Sequence, residues 1–142
     1  MDIKIDQNLL DISDELFAEL KRVMIENVPS DTVTQFTFNY RDSSYNTEAG
    51  GYHPVEIAIQ KEHSSNRWQL IYITDFAYQG YPYAELVKEL DFDFTTELFC
   101  SCFSRPEAIS HPDVKEMYQL WESNFLNYLE LGAYDQITIS AY

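Results

Sequence analysis

The stretch from Trp68 to Phe76 constrains the fold of this chain more than any other segment, because it is largely apolar at both sets of alternate positions. The first set is Trp68, Leu70, Tyr72, Thr74 and Phe76, and the second includes Ile71 and Ile73. Successive side chains of a strand point to opposite faces of the sheet, so this pattern leaves neither face uniformly polar. The segment is therefore predicted to be a central strand with both faces at least partly covered.

Two further strands are predicted before this central strand. Thr32–Tyr40 alternates aromatic with polar side chains, and Tyr52–Glu62 alternates aliphatic with polar ones. The short polar segment His63–Asn66 predicts a turn, so Tyr52–Glu62 and the central strand should form an antiparallel hairpin.

Two segments have the spacing of amphipathic helices. Ile12–Asn27 and Ser110–Leu131 repeat apolar residues at steps of three and four, Pro112 suits a first helical turn, and Gly132 suits the position after a helix end. Tyr134–Tyr142 alternates again and is predicted to return to the sheet as the last strand.

The part of the chain between the central strand and the second helix has a weaker pattern. Residues 77–83 are predicted to form a turn with an exposed aromatic rim, because Gly80 and Pro82 lie among tyrosines. Residues 84–90 could form a helical turn or a strand, and an irregular or short helical segment is the favoured prediction. A strand is then expected somewhere within Asp91–Phe103.

These elements together predict a single α+β domain over residues 1–142. Its core would be an antiparallel twisted sheet of about five strands, on which the N-terminal helix and the long C-terminal helix pack before the last strand. A chain of 142 residues is long enough to bury a core without a disulfide or a metal.

The charge of the chain is strongly negative. It has 24 Asp and Glu against 9 Lys and Arg, a formal net charge of −15. This charge repels nucleic-acid phosphate and anionic lipid, so direct nucleic-acid binding is disfavoured and a basic protein partner is favoured. No secretory signal and no membrane-length apolar run is visible, and only two cysteines are present, which predicts a cytoplasmic protein without membrane association.

No motif predicts a catalytic residue, a metal or a cofactor, and the chain is not predicted to be an enzyme. Cys100 and Cys102 lack partner ligands nearby in sequence, and the three histidines are far apart. The long polar loop Arg41–Gly51 places Asp42 and two serines before His53, which leaves an enzyme centred on residues 41–53 as one alternative. Local turn hydrogen bonds are the favoured interpretation of this loop.

A second polar segment is the predicted binding surface. It combines acids with tyrosines, whose rings supply apolar area beside the charge. Its residues are Tyr78, Tyr81, Tyr83, Glu85, Glu89, Asp91 and Asp93. The alternatives left open are a solvated acidic face and a packed tyrosine rim of the core.

Four segments carry a family resemblance: NYRDSSYNTEAGGYHPVEI, WQLIYITDFAYQG, YPYAELVKELDFDF and LWESNFLNYLELGAYD. Together they resemble a family of short uncharacterised bacterial proteins, a domain of unknown function that occurs in marine and enteric bacteria and often on mobile genomic islands. Structures of that family are similar to the mitochondrial acidic matrix protein, a sheet flanked by helices whose mitochondrial members form trimers and bind varied, often basic, proteins. The resemblance implies this fold and a protein partner, it defines no catalytic residue, and it admits a homo-oligomer.

The favoured hypothesis is thus a non-enzymatic acidic binding or adaptor protein for a basic partner. Two alternatives remain at this point. The first is a nucleic-acid mimic that acts against a restriction or defence enzyme, and the second is the enzyme centred on the loop of residues 41–53.

Overall fold

The computed structural model describes residues 4–5, 10–27, 32–62, 67–80, 82–102 and 104–141, and these ranges form eight strands and two helices. In chain order the elements are β1 (Lys4–Ile5), α1 (Asp14–Asn27), β2 (Gln35–Arg41), β3 (Val55–Lys61), β4 (Arg67–Gln79), β5 (Glu85–Asp93), β6 (Leu98–Ser101), β7 (Ser104–Ala108), α2 (Pro112–Glu130) and β8 (Gln136–Ala141).

Seven of the strands form one antiparallel sheet in the order β7-β6-β5-β4-β3-β2-β8. Strands β2 to β7 follow one another across the sheet, and α2 then carries the chain back so that β8 pairs with β2 at the other end. The two-residue strand β1 pairs in parallel with the start of β4. The predicted α+β class is confirmed, and β4 lies between β3 and β5, as expected of a central strand.

The strand count of about five was too low, because the segment after residue 76 forms more sheet than its sequence pattern indicates. β4 continues to Gln79, where a turn was predicted, and Glu85–Asp93 is strand β5, where an irregular or short helical segment was predicted before Asp91. Backbone pairing explains this result, since Phe76 pairs with Lys88 and the ladder continues to the pair Gln79 and Glu85. Its hydrogen bonds stabilise the hairpin although the side chains are largely half-buried or exposed.

The region predicted to hold one strand within Asp91–Phe103 contains the end of β5 and all of β6, and β7 follows from Ser104. Strand β7 is exposed along its whole length and lies at the edge of the sheet formed by the described residues. Pro106 is tolerated there because no described strand beyond it requires a backbone N–H. The predicted turn His63–Asn66 lies outside the described residues.

Both helices lie over the same face of the sheet. The cross-strand pairs Phe36 with Ile59 and Phe38 with Ile57 are buried on that face. Tyr40 continues this row of side chains, and its ring lies 5.0 Å from that of Phe125 on α2, while its hydroxyl donates to Glu19 on α1 at 3.3 Å. Aromatic contacts such as Tyr40 with Phe125 and Phe92 with Tyr118 therefore join the sheet to α2.

Two irregularities interrupt the ladders of β4. One lies beside Ala58 and Ile59 of β3, and the other lies between Asp75 and Phe76. At the second, Asp75 pairs with Leu90 and Phe76 pairs with Lys88, so Glu89 is an extra residue on β5. A β-bulge of this kind redirects side chains locally, and here it brings Glu89 beside Asp75.

Neither helix in the described part of the chain is long and apolar enough to cross a membrane.

Candidate functional site

A groove runs between α2 and the sheet, and we refer to it as the α2 groove. Its larger cavity has a volume of about 490 Å³ and its smaller one about 330 Å³, and the two share Glu89, Leu90 and Met117. α2 forms one wall, while β4, β5 and the segment before β3 form the other. The larger cavity is lined by Gly51, Tyr52, His53, Asp75, Glu89, Leu90, Met117, Leu120, Trp121, Asn124, Phe125, Tyr128 and Tyr134.

A cluster of three titratable side chains lies in the larger cavity. His53 Nδ1 is 2.9 Å from Asp75 Oδ1 and 2.9 Å from Glu89 Oε2. Trp121 Nε1–H donates to the other oxygen of Asp75, Oδ2, at 3.0 Å. The cluster therefore combines residues from the segment before β3, from β4, from β5 and from α2, and all three titratable side chains are half-buried.

The carboxylates change the protonation of the imidazole. The hydrogen bond to Asp75 raises the pKa of His53 above its ordinary value, burial opposes this rise, and the charges of Asp75 and Glu89 add to it. The two carboxylates thus stabilise the protonated form of His53 relative to an isolated imidazole.

Aromatic rings form the wall around the cluster. Tyr52 meets Tyr128 edge to face with ring centroids 4.8 Å apart, and Trp121 stacks on Phe125 at 5.0 Å. Tyr134 lies 5.7 Å from Phe125, and burial raises the pKa of its hydroxyl. The groove therefore offers flat apolar area directly beside its carboxylates.

The charged residues of the groove are acidic. Glu107 and Asp113 line the smaller cavity, and Asp75 and Glu89 line the larger one. Among the described residues that line the two cavities there is no lysine or arginine. Histidine is thus the only residue type there that carries positive charge, and His53 already lies beside two carboxylates.

The structure separates the residues of the sequence-predicted binding surface. Of these, Glu89 lines the α2 groove. Asp91 accepts a hydrogen bond from Thr74 Oγ1 at 2.7 Å, and Asp93 accepts from the backbone N–H groups of Thr95 and Thr96 in the turn after β5. These two acids therefore make local bonds on their own part of the sheet.

The remaining predicted residues lie toward the turn between β4 and β5. Tyr78 is half-buried and stacks on Tyr45 with ring centroids 5.1 Å apart. Tyr83 is 87% exposed and Glu85 is exposed, while Tyr81 lies outside the described residues. Their role in binding stays a prediction.

The polar loop of residues 41–51 is organised by hydrogen bonds within the chain. Asp42 accepts from the backbone and hydroxyl of Ser44 and from the backbone N–H of Tyr52, and the bond from the Ser44 hydroxyl is the main cause of its lowered pKa. Ser43 donates to Asp135. His53 bonds to Asp75 and Glu89, so the described structure does not assemble His53 with the loop serines as a nucleophile and base.

Sequence reasoning missed Asp75 and the aromatic wall of the groove. Asp75 lies 22 residues after His53 and 14 before Glu89, so no spacing motif connects the three. One feature of the sequence pointed to the aromatic wall. Tyr128 extends the apolar stripe of α2 and also carries a polar hydroxyl, a combination that is typical of residues lining a groove.

Comparisons with known proteins place this architecture among bacterial proteins. A family model described as "Protein of unknown function (DUF2787)" matches residues 14–140. The hypothetical protein VC0508 from the VSP-II pathogenicity island of Vibrio cholerae is 38% identical, with a TM-score of 0.93 over 99% of this chain and 100% of that one.

A second solved structure is similar. The conserved hypothetical protein VC1805 from pathogenicity island VPI-2 of Vibrio cholerae O1 biovar eltor is 39% identical, with a TM-score of 0.85 over 96% of this chain and 99% of that one. It is described as sharing structural homology with the human P32 protein. A search of the curated proteins finds no match.

Proposed function

The chain belongs to the DUF2787 family, and from this premise we propose that it is a non-enzymatic acidic protein that docks a basic protein partner in the α2 groove. The observation that carries the proposal is the combination of four carboxylates with aromatic walls, in a groove whose described lining residues include no lysine or arginine.

A lysine or arginine side chain of a partner matches this lining chemically. Its methylene stem would lie on the rings of Tyr52 and Tyr128, while its charged end would meet the carboxylates of Asp75 and Glu89. Charge-assisted hydrogen bonds to carboxylates are stronger than neutral ones, and the partial burial of these two acids limits screening by solvent.

The length of the groove favours a peptide segment over a single side chain. The smaller cavity continues past Leu90 and Met117 to Glu107 and Asp113. A second basic residue of the partner would lie beside these acids, with the apolar residues between the two cavities under the intervening part of the segment.

Two further observations support a protein partner. VC1805 is described as structurally homologous to human P32, which is the mitochondrial acidic matrix protein, and the sequence resemblance to that group implies binding of basic proteins. The sequence-predicted residues Tyr83 and Glu85 are exposed and would extend the acidic, tyrosine-containing surface beyond the groove.

The test uses a defined probe. A fluorescent peptide with two lysines separated by apolar residues is titrated with the protein, alongside the same peptide with both lysines acetylated. The unmodified peptide is expected to bind and the acetylated one is not. The double variant Glu107→Gln/Asp113→Asn should weaken binding by at least about fivefold, because two groove charges are lost.

A matched control removes the same charge elsewhere. Glu48→Gln/Glu130→Gln neutralises two exposed acids that do not line either cavity, and it should leave affinity unchanged within about twofold. Equal weakening by both double variants would contradict docking in the groove, and binding of the acetylated peptide would contradict recognition of positive charge. Affinity capture from the native host then separates this proposal from the nucleic-acid mimic, which would retain a DNA-binding restriction or defence enzyme.

A further inference from the structure

We propose that His53, Asp75 and Glu89 bind one divalent transition-metal ion of the zinc class in the larger cavity of the α2 groove. The three side chains each present one donor atom, His53 Nδ1, Asp75 Oδ1 and Glu89 Oε2, and these atoms all lie within 4.8 Å of one another. The inference does not require the docking function to be correct, although a bound ion and a docked lysine or arginine would use the same carboxylates of Asp75 and Glu89.

The donor set has the composition of a zinc site with an open position. Imidazole nitrogen and carboxylate oxygen bind Zn²⁺ at roughly 2.0–2.2 Å, and three protein ligands leave a fourth position for water or another ligand. Two carboxylates and one neutral imidazole carry two negative charges together, which balance the charge of a divalent ion. The cavity beside the cluster, about 490 Å³ in volume, provides the space for the fourth ligand.

The two donor–donor distances that involve His53 require only a small adjustment, and the two carboxylate oxygens lie within 4.8 Å of each other. Donors around a tetrahedral zinc ion lie ~3.3 Å from one another, whereas His53 Nδ1 lies 2.9 Å from each carboxylate oxygen. Each of these two contacts would therefore lengthen by a few tenths of an ångström when the ion binds. Carboxylate side chains make such a movement by small rotations of their terminal torsions.

The surroundings hold the ligands in the required orientation. Trp121 Nε1–H donates to Asp75 Oδ2 and leaves Oδ1 directed at His53, which is the kind of outer hydrogen bond that orients metal-binding carboxylates. Asp75 and Glu89 belong to neighbouring strands inside the sheet, and the bulge at Glu89 brings its carboxylate beside Asp75. Trp121 is a positioning residue, since it contacts the ligand and not the ion.

The chain offers natural control sites. His111 lies 3.9 Å from Glu107 and 3.8 Å from Asp113, but on a more exposed surface and at longer distances. Cys100 and Cys102 are free thiols on and beside β6. His111→Asn, which keeps a side chain able to cap α2, and Cys100→Ser/Cys102→Ser therefore test whether an observed metal binds elsewhere.

The experiment is a calorimetric titration of the chelator-treated protein with ZnCl₂. One ion is expected to bind per chain and to raise Tm, because it binds the folded state. His53→Ala should make binding too weak to measure, and Glu89→Gln should weaken it strongly. Trp121→Phe should weaken it about tenfold with all three ligands retained. The two control variants, His111→Asn and Cys100→Ser/Cys102→Ser, should bind zinc with the affinity of the wild-type protein.

Cobalt substitution gives a second readout. Bound Co²⁺ should show visible bands without a thiolate charge-transfer band. These bands should weaken strongly in Glu89→Gln, which tests the site independently if His53→Ala fails to fold. Three results would each overturn the inference. The first is unaltered zinc affinity in folded His53→Ala or Glu89→Gln, and the second is loss of binding in Cys100→Ser/Cys102→Ser. The third is that neither Zn²⁺ nor Co²⁺ binds. Circular dichroism melts of the metal-free variants establish which of them are folded.

Discussion

At the scale of single residues, Glu122 on α2 is a buried carboxyl group, only 7% exposed. Its Oε2 accepts a hydrogen bond from the hydroxyl of Tyr118 at 2.6 Å and from the backbone N–H of Ser13 at 3.2 Å. The second bond joins α2 to the residue just before α1. A buried carboxylate is stabilised only when such donors remain in place, so this group fixes how the two helices meet.

Removing one donor should therefore destabilise the fold. Tyr118→Phe keeps the ring against Phe92 but leaves Glu122 with one fewer hydrogen bond. We expect the free energy of unfolding to fall by about 1–3 kcal/mol, measured by urea denaturation at pH 7. Tyr128→Phe, the same substitution at a half-buried site on the same helix, should change it by less. Equal effects of the two substitutions would contradict a special role for the Glu122 contact.

Buried tyrosines also predict sensitivity to alkali. Burial raises the pKa of Tyr40, Tyr118 and Tyr134, and the contacts to Glu19 and Glu122 raise the first two further. Since these folded pKa values lie above the unfolded value of about 10, the stabilisation is complete below pH 10 and is lost as pH rises toward the folded values.

Two measurements check this sign. Urea denaturation should give a free energy of unfolding that declines above about pH 10, and ultraviolet titration should show two groups of tyrosines, the buried group ionising only as the protein unfolds. Ionisation of all eleven tyrosines in a single step near pH 10, with the fold intact, would contradict the burial of these hydroxyls.

At the scale of elements, the helices and strands predicted from the sequence were most accurate where hydrophobic periodicity and burial coincide. α1, α2, β2 and β3 were each placed within a few residues, because one face of each is buried against the core. The first part of β5 was not the favoured prediction and β7 was not predicted. Their side chains are largely half-buried or exposed and their stability comes from backbone pairing, which leaves no period in the sequence.

The same distinction explains how much of the candidate site could be predicted. Glu89 was identified as one acid of an acidic segment, and His53 was identified only as part of a loop. Their meeting with Asp75 depends on a bulge in the pairing of β4 with β5, and a bulge moves side chains without a compositional signal. The site is therefore a consequence of strand register more than of any local motif.

Strand β4 supplies a test of the bulge beside β3. Ile73 is fully buried and pairs with Ile57, whereas Ile71 is half-buried at the irregular position between the pairs Ile59–Leu70 and Ala58–Tyr72. Ile73→Asp should prevent folding, because it buries an unpaired charge in the core. Ile71→Asp should destabilise the protein and still leave a cooperative thermal transition. A folded Ile73→Asp protein, or loss of folding in both variants, would contradict this description of the strand.

At the scale of the whole molecule, the net charge of −15 acts on folding and on binding in opposite directions. Within the chain the excess acids repel one another, which destabilises the compact state. Toward a basic partner the same charge is attractive. Both effects act over distances that salt screens, since the Debye length is about 10 Å at 0.1 M salt and about 3 Å at 1 M.

Added NaCl should therefore raise the Tm of the free protein and weaken binding of the lysine peptide over the same concentration range. Thermal melts and peptide titrations at 0.05, 0.2 and 0.5 M NaCl, concentrations spanning the range in which screening changes most, measure the two effects in one buffer series. The charge-neutralised control Glu48→Gln/Glu130→Gln should show a smaller rise in Tm with salt but the same weakening of peptide binding, because its groove is unchanged. If salt weakened neither binding nor self-repulsion, the negative field would not be the basis of recognition, and the aromatic wall of the groove alone would have to account for any affinity.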